Sequence, residues 1–277
     1  MTIVVTGATG HLGTLVVQSL LAKGVPASEI VATGRNAEKL AELGVPTRIA
    51  SYDDPAELTA AFAGADKLLF VSGSAVGKRV QQHTNVVHAA KAAGVGRVFY
   101  TSAPKADTTD MKLAAEHRIT EALLLESGVP STFLRNSWYL ENYNFEAALA
   151  RGLFGAAGEG KISGAPRADY AEAAAAALLH DDPQQVYELG GEPFTKTELA
   201  AEIAKQSGQP VSYTDLPEQK YAEMLVGVGL PEPVAAILAD SDRAAATGAL
   251  FVEGDDLATL LGHPATPLAI AVKERLA

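Results

Sequence analysis

The stretch Ile3-Val4-Val5-Thr6-Gly7-Ala8-Thr9-Gly10-His11-Leu12-Gly13 decides the fold of this chain. It opens as a short apolar run and turns through a glycine-rich loop. Beyond the loop Leu12, Leu15, Val16, Ser19 and Leu20 recur with helical period. This is the strand–loop–helix opening of a dinucleotide-binding βαβ unit. Each glycine has a separate task. Gly7 permits the tight turn out of the strand, Gly10 lets backbone approach a pyrophosphate, and Gly13 lets the helix lie close to the sheet. The free N–H groups and the positive dipole end of the helix then face the phosphates. The spacing is GxxGxxG, one residue wider at the front than the commoner GxGxxG. Glycine turns between strands and helices are common, so context carries the assignment: a strand before, a helix after, and a second apolar run at Ile30-Val31-Ala32-Thr33.

Working outward, apolar runs at residues 46–50, 67–71, 97–101 and 132–135 predict four further strands, with helical segments between them. The run at 67–71 is continuously apolar after Lys67, as expected of a parallel sheet covered on both faces. Right-handed crossovers put helices on both sides, so the fold class is α/β, a doubly wound parallel sheet of the Rossmann type. Ligands of such sheets bind at the carboxyl ends of the strands. The residues that follow the strands are therefore the ones to watch: the glycine loop, Arg35, Asp53, Ser72, Gly73, Ser74, Ser102 and Asn136. After about residue 150 the alternation weakens. Residues 152–164 are glycine-rich and read as a loop. An alanine-rich helix follows, then a strand at 186–189. Next comes a helix opened by Thr195 with Glu198 in the capping-box position, then a short strand at 211–213. The expected division is a nucleotide-binding domain over 1–152, with strand 186–189 returning to it, and a smaller, mostly helical lobe over 153–277 that covers the substrate.

Composition narrows the function. The 277 residues are 48% hydrophobic, include no cysteine, and carry a formal net charge of −11. Disulfides, thiolate metal sites and thiol nucleophiles are thereby excluded. An acidic chain without a basic stripe is not expected to bind nucleic acid. The chain enters a strand directly and no apolar stretch is long enough to span a bilayer, so no signal peptide or membrane association is expected, and the expected location is cytoplasmic. His83 and His88 are five apart, do not share a helical face, and predict no metal site.

The nucleotide is read at the end of the second strand. An acid there bonds a ribose 2′-hydroxyl and repels a 2′-phosphate. This chain has Gly34-Arg35-Asn36 instead. A guanidinium suits a phosphate dianion, which points to NADP(H); the alternative for Arg35 is a solvated helix-start residue. Asp53 either contacts adenine or caps the helix begun at Pro55. Thr101 and Ser102 either bond substrate or nicotinamide amide, or cap the sheet end.

The segments GATGHLG, GRN, VSGS, FYTSAPKADT and FLRNSWYLENY resemble, in that order, the NmrA-like atypical short-chain dehydrogenase/reductases. VGKRVQQHTNVVHAAKAAGV, AAGEGKISGAPRADYA and LADSD resemble the quinone- and dye-reducing members of that family. The resemblance covers nearly the whole chain. It implies NADPH as cofactor and a quinone or dye-like small molecule as acceptor, with a redox-sensing role as the alternative. It also implies that Gly7, Ala8, Thr9, Gly10, His11, Leu12, Gly13, Arg35, Ser72, Gly73, Ser74 and Asn136 line the cofactor. Trp138, Tyr139, Glu141 and Asn142 would line the acceptor site, where flat aromatic rings can stack on a planar ring. A homodimer is a further implication.

Short-chain reductases ordinarily place Tyr-x-x-x-Lys on the helix after the fifth strand. Here, if Glu121 marks the register, His117 falls at the lysine and Leu113 at the tyrosine. The tyrosine is missing, and Tyr100, on the strand before, reads as core. Reducing an unactivated ketone makes a strongly basic alkoxide and needs a proton donor in the transition state. Hydride addition to a quinone makes a hydroquinone anion, a far weaker base that water can protonate afterwards. The missing tyrosine therefore suits quinones, cationic dyes and similar acceptors. His117 is the candidate catalytic side chain, as proton donor or ribose contact; an ordinary helix histidine is its alternative.

Overall fold

A computed structural model describes residues 1–75 and 77–277. In chain order the first elements are β1 (Ile3–Val5), α1 (His11–Ala22), β2 (Ile30–Gly34), α2 (Ala37–Ala41), β3 (Thr47–Ile49), α3 (Pro55–Phe62), β4 (Lys67–Phe70), α4 (Arg79–Ala92), β5 (Arg97–Ser102), α5 (Lys112–Ser127) and β6 (Ser131–Asn136). There follow α6 (Phe145–Arg151), β7 (Leu153–Gly155), α7 (Arg167–Leu179), β8 (Val186–Leu189), α8 (Lys196–Ser207), β9 (Tyr213–Asp215), α9 (Glu218–Gly227), α10 (Glu232–Ala246), α11 (Asp256–Leu261) and α12 (Leu268–Leu276).

The seven-stranded sheet has the order β3-β2-β1-β4-β5-β6-β8. Pairing from β3 to β6 is parallel throughout. At the far edge Phe133 N–H donates to Gln185 C=O and Ser137 N–H to Leu189 C=O, so both chains advance together and β8 is parallel as well. The order reverses between β1 and β4. The glycine loop thus leaves the sheet at its switch point, where such folds bind ligands.

The chain forms two compact units that interleave along the sequence. The first comprises residues 1–103, 116–135 and 167–187; the second comprises 104–115, 136–166 and 188–277. The sequence places a single boundary at 152/153. Instead the alanine-rich α7 belongs to the first unit and packs on α1. Alanine side chains let the two helices approach closely. Strand 186–189 lies in the sheet, beside β6.

In the first unit, Val4, Leu68, Phe70, Val98, Tyr100 and Phe133 from the strands pack with Leu58 and Phe62 of α3, Val86 and Val87 of α4, and Leu124 of α5. In the second, residues 152–164 are not loop throughout. β7 pairs in parallel with β9, Leu153 opposite Tyr213. Its partner lies far along the chain, so local pattern does not reveal it. Thr195 and Glu198 form the expected capping box at the start of α8.

The tightest constraint lies in the opening loop. A Cβ at Gly13 would sit 2.8 Å from Ala8 Cα and closer still to the Gly7 carbonyl oxygen. Backbone cannot yield as a side chain can. Gly13→Ala is expected to destabilise the protein by about 1–3 kcal/mol, the usual range for overpacking, measured as a lower urea midpoint with unchanged slope. An unchanged midpoint would show that the loop gives way freely.

Candidate functional site

In the first unit, Gly7 ends β1 with φ +58°, a left-handed conformation suited to glycine. The turn closes through Gly10 N–H to Gly7 C=O at 2.9 Å, and Thr14 Oγ1 donates to the Ala8 carbonyl at 2.8 Å. α1 starts at Gly10 without a side-chain cap and without an acid in its first turn. Its leading N–H groups therefore keep their capacity for an anion. Thr9 of this loop and Arg35 line one open groove of about 680 Å³, together with Asn36, Ala37, Glu38 and Lys39. Arg35 is exposed there, while Asn36 caps α2 by accepting from Lys39 N–H. Asp53 does not cap the following helix. Asp54 does, accepting from Ala56 and Glu57, and Asp53 accepts from Gln82 Nε2 at 3.0 Å.

The strand ends beside the loop are pinned by buried hydroxyls. Val71 N–H donates to Thr6 Oγ1 at 3.0 Å, Tyr52 O–H donates to the Val71 carbonyl at 2.7 Å, and Thr6 O–H completes the ring on Tyr52 at 2.5 Å. Ser72 N–H donates to Thr101 Oγ1 at 2.9 Å. Gly73 N–H donates to His83 Nε2, and Ser74 is exposed. Ser102 is buried; its Oγ donates to Glu121 Oε1 at 2.6 Å, and Arg135 grips the same carboxylate with Nε and Nη2 at 3.0 and 2.7 Å. The Ser102 hydrogen is thus committed to Glu121, a support that the sequence did not single out.

His117 is interior, 6% exposed, with Nδ1 2.7 Å from Tyr100 Oη. Burial, with the charge of Arg79 adding to it, holds His117 well below the usual histidine range. It is a neutral imidazole at physiological pH. Tyr100 is fully buried, as its reading as core requires.

The second unit carries the other candidates. Asn136 is buried; its Nδ2 donates to Tyr139 Oη at 3.1 Å, while its Oδ1 has no hydrogen-bond partner. Trp138 and Asn142 line a cavity of about 250 Å³ with Tyr143, Tyr221, Met224 and Leu238 among its walls. Tyr139 and Glu141 are not part of that lining. At the cavity wall Lys196 forms a buried ion pair with Asp242, and the rings of Tyr143, Tyr213 and Tyr221 surround its Nζ at 5.4–6.0 Å. Neither this pair nor His83 was foreseen as part of a site. The available signal for His83 was position: Arg79 and His83 fall on the buried stripe of α4 with Val86, Val87 and Ala90, where polar residues need a reason. Among the described residues no cluster of three or more His, Cys, Asp or Glu is placed to hold a metal, and no helix is long and apolar enough to cross a membrane.

Comparison with known proteins follows the same lines. Quinone oxidoreductase 2 of Escherichia coli K12 is 51% identical over 278 residues, covering 98% of this chain and 97% of the relative. A crystal structure of an NADPH-dependent quinone oxidoreductase from Escherichia coli, complexed with NADPH, superposes with a TM-score of 0.96 at 49% identity over the full length of both chains. Triphenylmethane reductase from Citrobacter sp., complexed with NADP(H), gives a TM-score of 0.92 at 39% identity over 99% of each chain. The NmrA-like family model matches residues 1–254, and the chain belongs to the NmrA-like family.

Proposed function

We propose that this protein is an NADPH-dependent oxidoreductase that passes hydride to quinones or similar planar electron acceptors. The observation that carries the cofactor half is the groove shared by Thr9 and Arg35 beside an uncapped helix N-terminus. The residues present fit an NADP nucleotide. Gly13 leaves room only for backbone at the turn, α1 offers free donors, and Arg35 supplies the cation that a 2′-phosphate needs. Asn136, with a buried acceptor oxygen that lacks a partner, is a proposed cofactor contact. Bound NADPH supplies the hydride. The names of the relatives support an enzyme over a regulator, since they are reductases and oxidoreductases.

The acceptor half rests on the second unit's cavity. Its volume of about 250 Å³ lies just below the roughly 300–1,000 Å³ usual for ligand pockets and suits only a small, one- or two-ring molecule. Trp138 and Asn142 are the proposed acceptor-side residues that line it; Tyr139 and Glu141, expected with them from the sequence, lie outside its lining. The sequence leaves two proton donors open, His117 and water. A buried imidazole that stays neutral keeps one very weakly acidic N–H and is no general acid near neutral pH, so water is assigned the protonation of the reduced acceptor. The same account carries two companion proposals: a cytoplasmic location, and a homodimer, as the family resemblance implies.

Three outcomes are expected. Purified protein oxidises NADPH faster than NADH when a simple quinone is added, and Arg35→Ala lowers that preference by about tenfold or more, the scale of one charge-assisted contact. Nucleotide binding without quinone- or dye-dependent oxidation would overturn the enzyme assignment. The turnover number stays flat between about pH 6 and 8, because His117 is neutral across that range; a protonated imidazole acting as general acid would make it fall as pH rises through its pKa. Finally, Trp138 is the single tryptophan, so saturable quenching of intrinsic fluorescence by a quinone reports the cavity without turnover. Quenching that stays linear in quinone would place the acceptor elsewhere.

A further inference from the structure

The loop after β4 is clamped at Gly73. Its N–H donates to His83 Nε2 at 3.0 Å, and its C=O accepts from Arg79 Nε at 2.7 Å. Both clamping side chains come from the first turns of α4 and are buried. The bond from Gly73 fixes the tautomer of His83. Nε2 accepts, so Nδ1 bears the hydrogen and donates to Thr120 Oγ1 at 2.8 Å. Thr120 Oγ1 passes its own hydrogen to the Glu116 carbonyl at 2.8 Å. Tyr100 Oη lies beside the same group, 3.5 Å from His83 Nδ1 and 2.7 Å from His117 Nδ1.

Glu116 extends the clamp through its carboxylate. Oε1 accepts from Gly77 N–H at 3.2 Å, and Oε2 pairs with Arg79 Nη1 at 3.3 Å. Thr101 Oγ1 holds Ser72 from β5. The loop lies against α4 at Gly73: a Cβ there would be in ordinary contact with Gln82 Oε1 at 3.4 Å and His83 Nε2 at 3.5 Å. Phe70, Tyr52 and Tyr100 pack their rings around the imidazole, at 4.7, 6.5 and 5.7 Å between centroids. Burial and the nearby charge of Arg79 push His83 down to about 3, so it stays a neutral acceptor at any physiological pH. A helix histidine on a fully buried stripe is costly unless its two nitrogens are both used. Here one of them is used on the loop that follows β4.

We propose that His83 is a positioning residue for the cofactor. By holding the Gly73 peptide it fixes residues 72–74 in the conformation that receives NADPH. The inference rests on the assignment of that loop as a cofactor contact. His83 touches no reacting atom and acts through Gly73.

Two amide substitutions separate positioning from bulk. In His83→Gln the amide reaches the place of Nε2 and can still accept from Gly73. In His83→Asn the amide lies at the place of Nδ1, keeps the Thr120 contact and loses Gly73. NADPH dissociation constants are measured by titration of nicotinamide fluorescence, with melting temperature recorded in parallel. The expected result is an affinity about tenfold weaker in His83→Asn and within about threefold of wild type in His83→Gln, the difference of one hydrogen bond to a loop that must stay ordered. Quinone quenching of Trp138 in the absence of NADPH is expected to stay as in wild type. Equal affinities in the two variants, or losses that simply follow melting temperature, would overturn the inference while leaving the cofactor assignment in place. A wild-type protein that binds no NADPH would overturn both. If His83→Asn does not fold, Thr120→Val serves in its place. It removes the group that receives the Nδ1 hydrogen of His83 and is expected to weaken NADPH binding about threefold; unchanged binding would overturn the inference.

Discussion

The close approach of α1 to the turn at Gly7 is the constraint on which the rest depends. Gly13 lies over the Gly7 carbonyl with no room for a side chain. That contact sets where the helix begins and aims its uncapped N-terminus past the end of β1. β1 lies between β2 and β4, at the reversal of strand order. One backbone contact therefore joins the helix dipole, the free donors and the switch point of the sheet. Arg35, just past the end of the neighbouring β2, lines the same groove as Thr9 and is the proposed partner of a 2′-phosphate.

A second layer of order lies beneath the strand ends of the first unit. Thr6, Tyr52 and Val71 close a ring of hydrogen bonds, Thr101 holds Ser72, and His83 holds Gly73. Ser102, Glu121 and Arg135 form a buried group in which a bidentate guanidinium neutralises the carboxylate. Such groups are stabilising only when fully satisfied; truncating one partner leaves a buried charge and costs about 3–5 kcal/mol. Their common effect is to make loops that would otherwise be soft into fixed surfaces. Under the proposed function such surfaces would bind by preorganisation and leave the chemistry to the cofactor and the acceptor.

Much of this was legible in the residues, for reasons that differ by element. The strand–glycine–helix opening and the apolar runs state the fold because their periods are local. Thr195 with Glu198 announced a helix start because capping is a three-residue matter. β7 was missed because its partner, β9, lies far along the chain and three residues carry no period of their own. The interleaving of the two units was missed because membership is decided by packing, as when α7 joins the first unit through α1. Asp53 and Asp54 could not be told apart as caps by composition; backbone geometry selected Asp54. In the sequence Glu121 serves only to set the register of α5, and His83 enters only as a metal-ligand candidate with His88; burial shows each facing a partner on another element.

The central claim is that hydride transfer proceeds without a side-chain acid, with protonation by water afterwards. Isotope effects on quinone reduction test it most directly. Turnover is compared with NADPH deuterated at the transferring position of the nicotinamide, in water and in deuterium oxide. The account predicts a primary effect of about two or more from the labelled cofactor and a solvent effect near one, because no proton moves in the hydride step. A solvent effect as large as the primary one, abolished by His117→Phe, would contradict it and restore the imidazole as the acid.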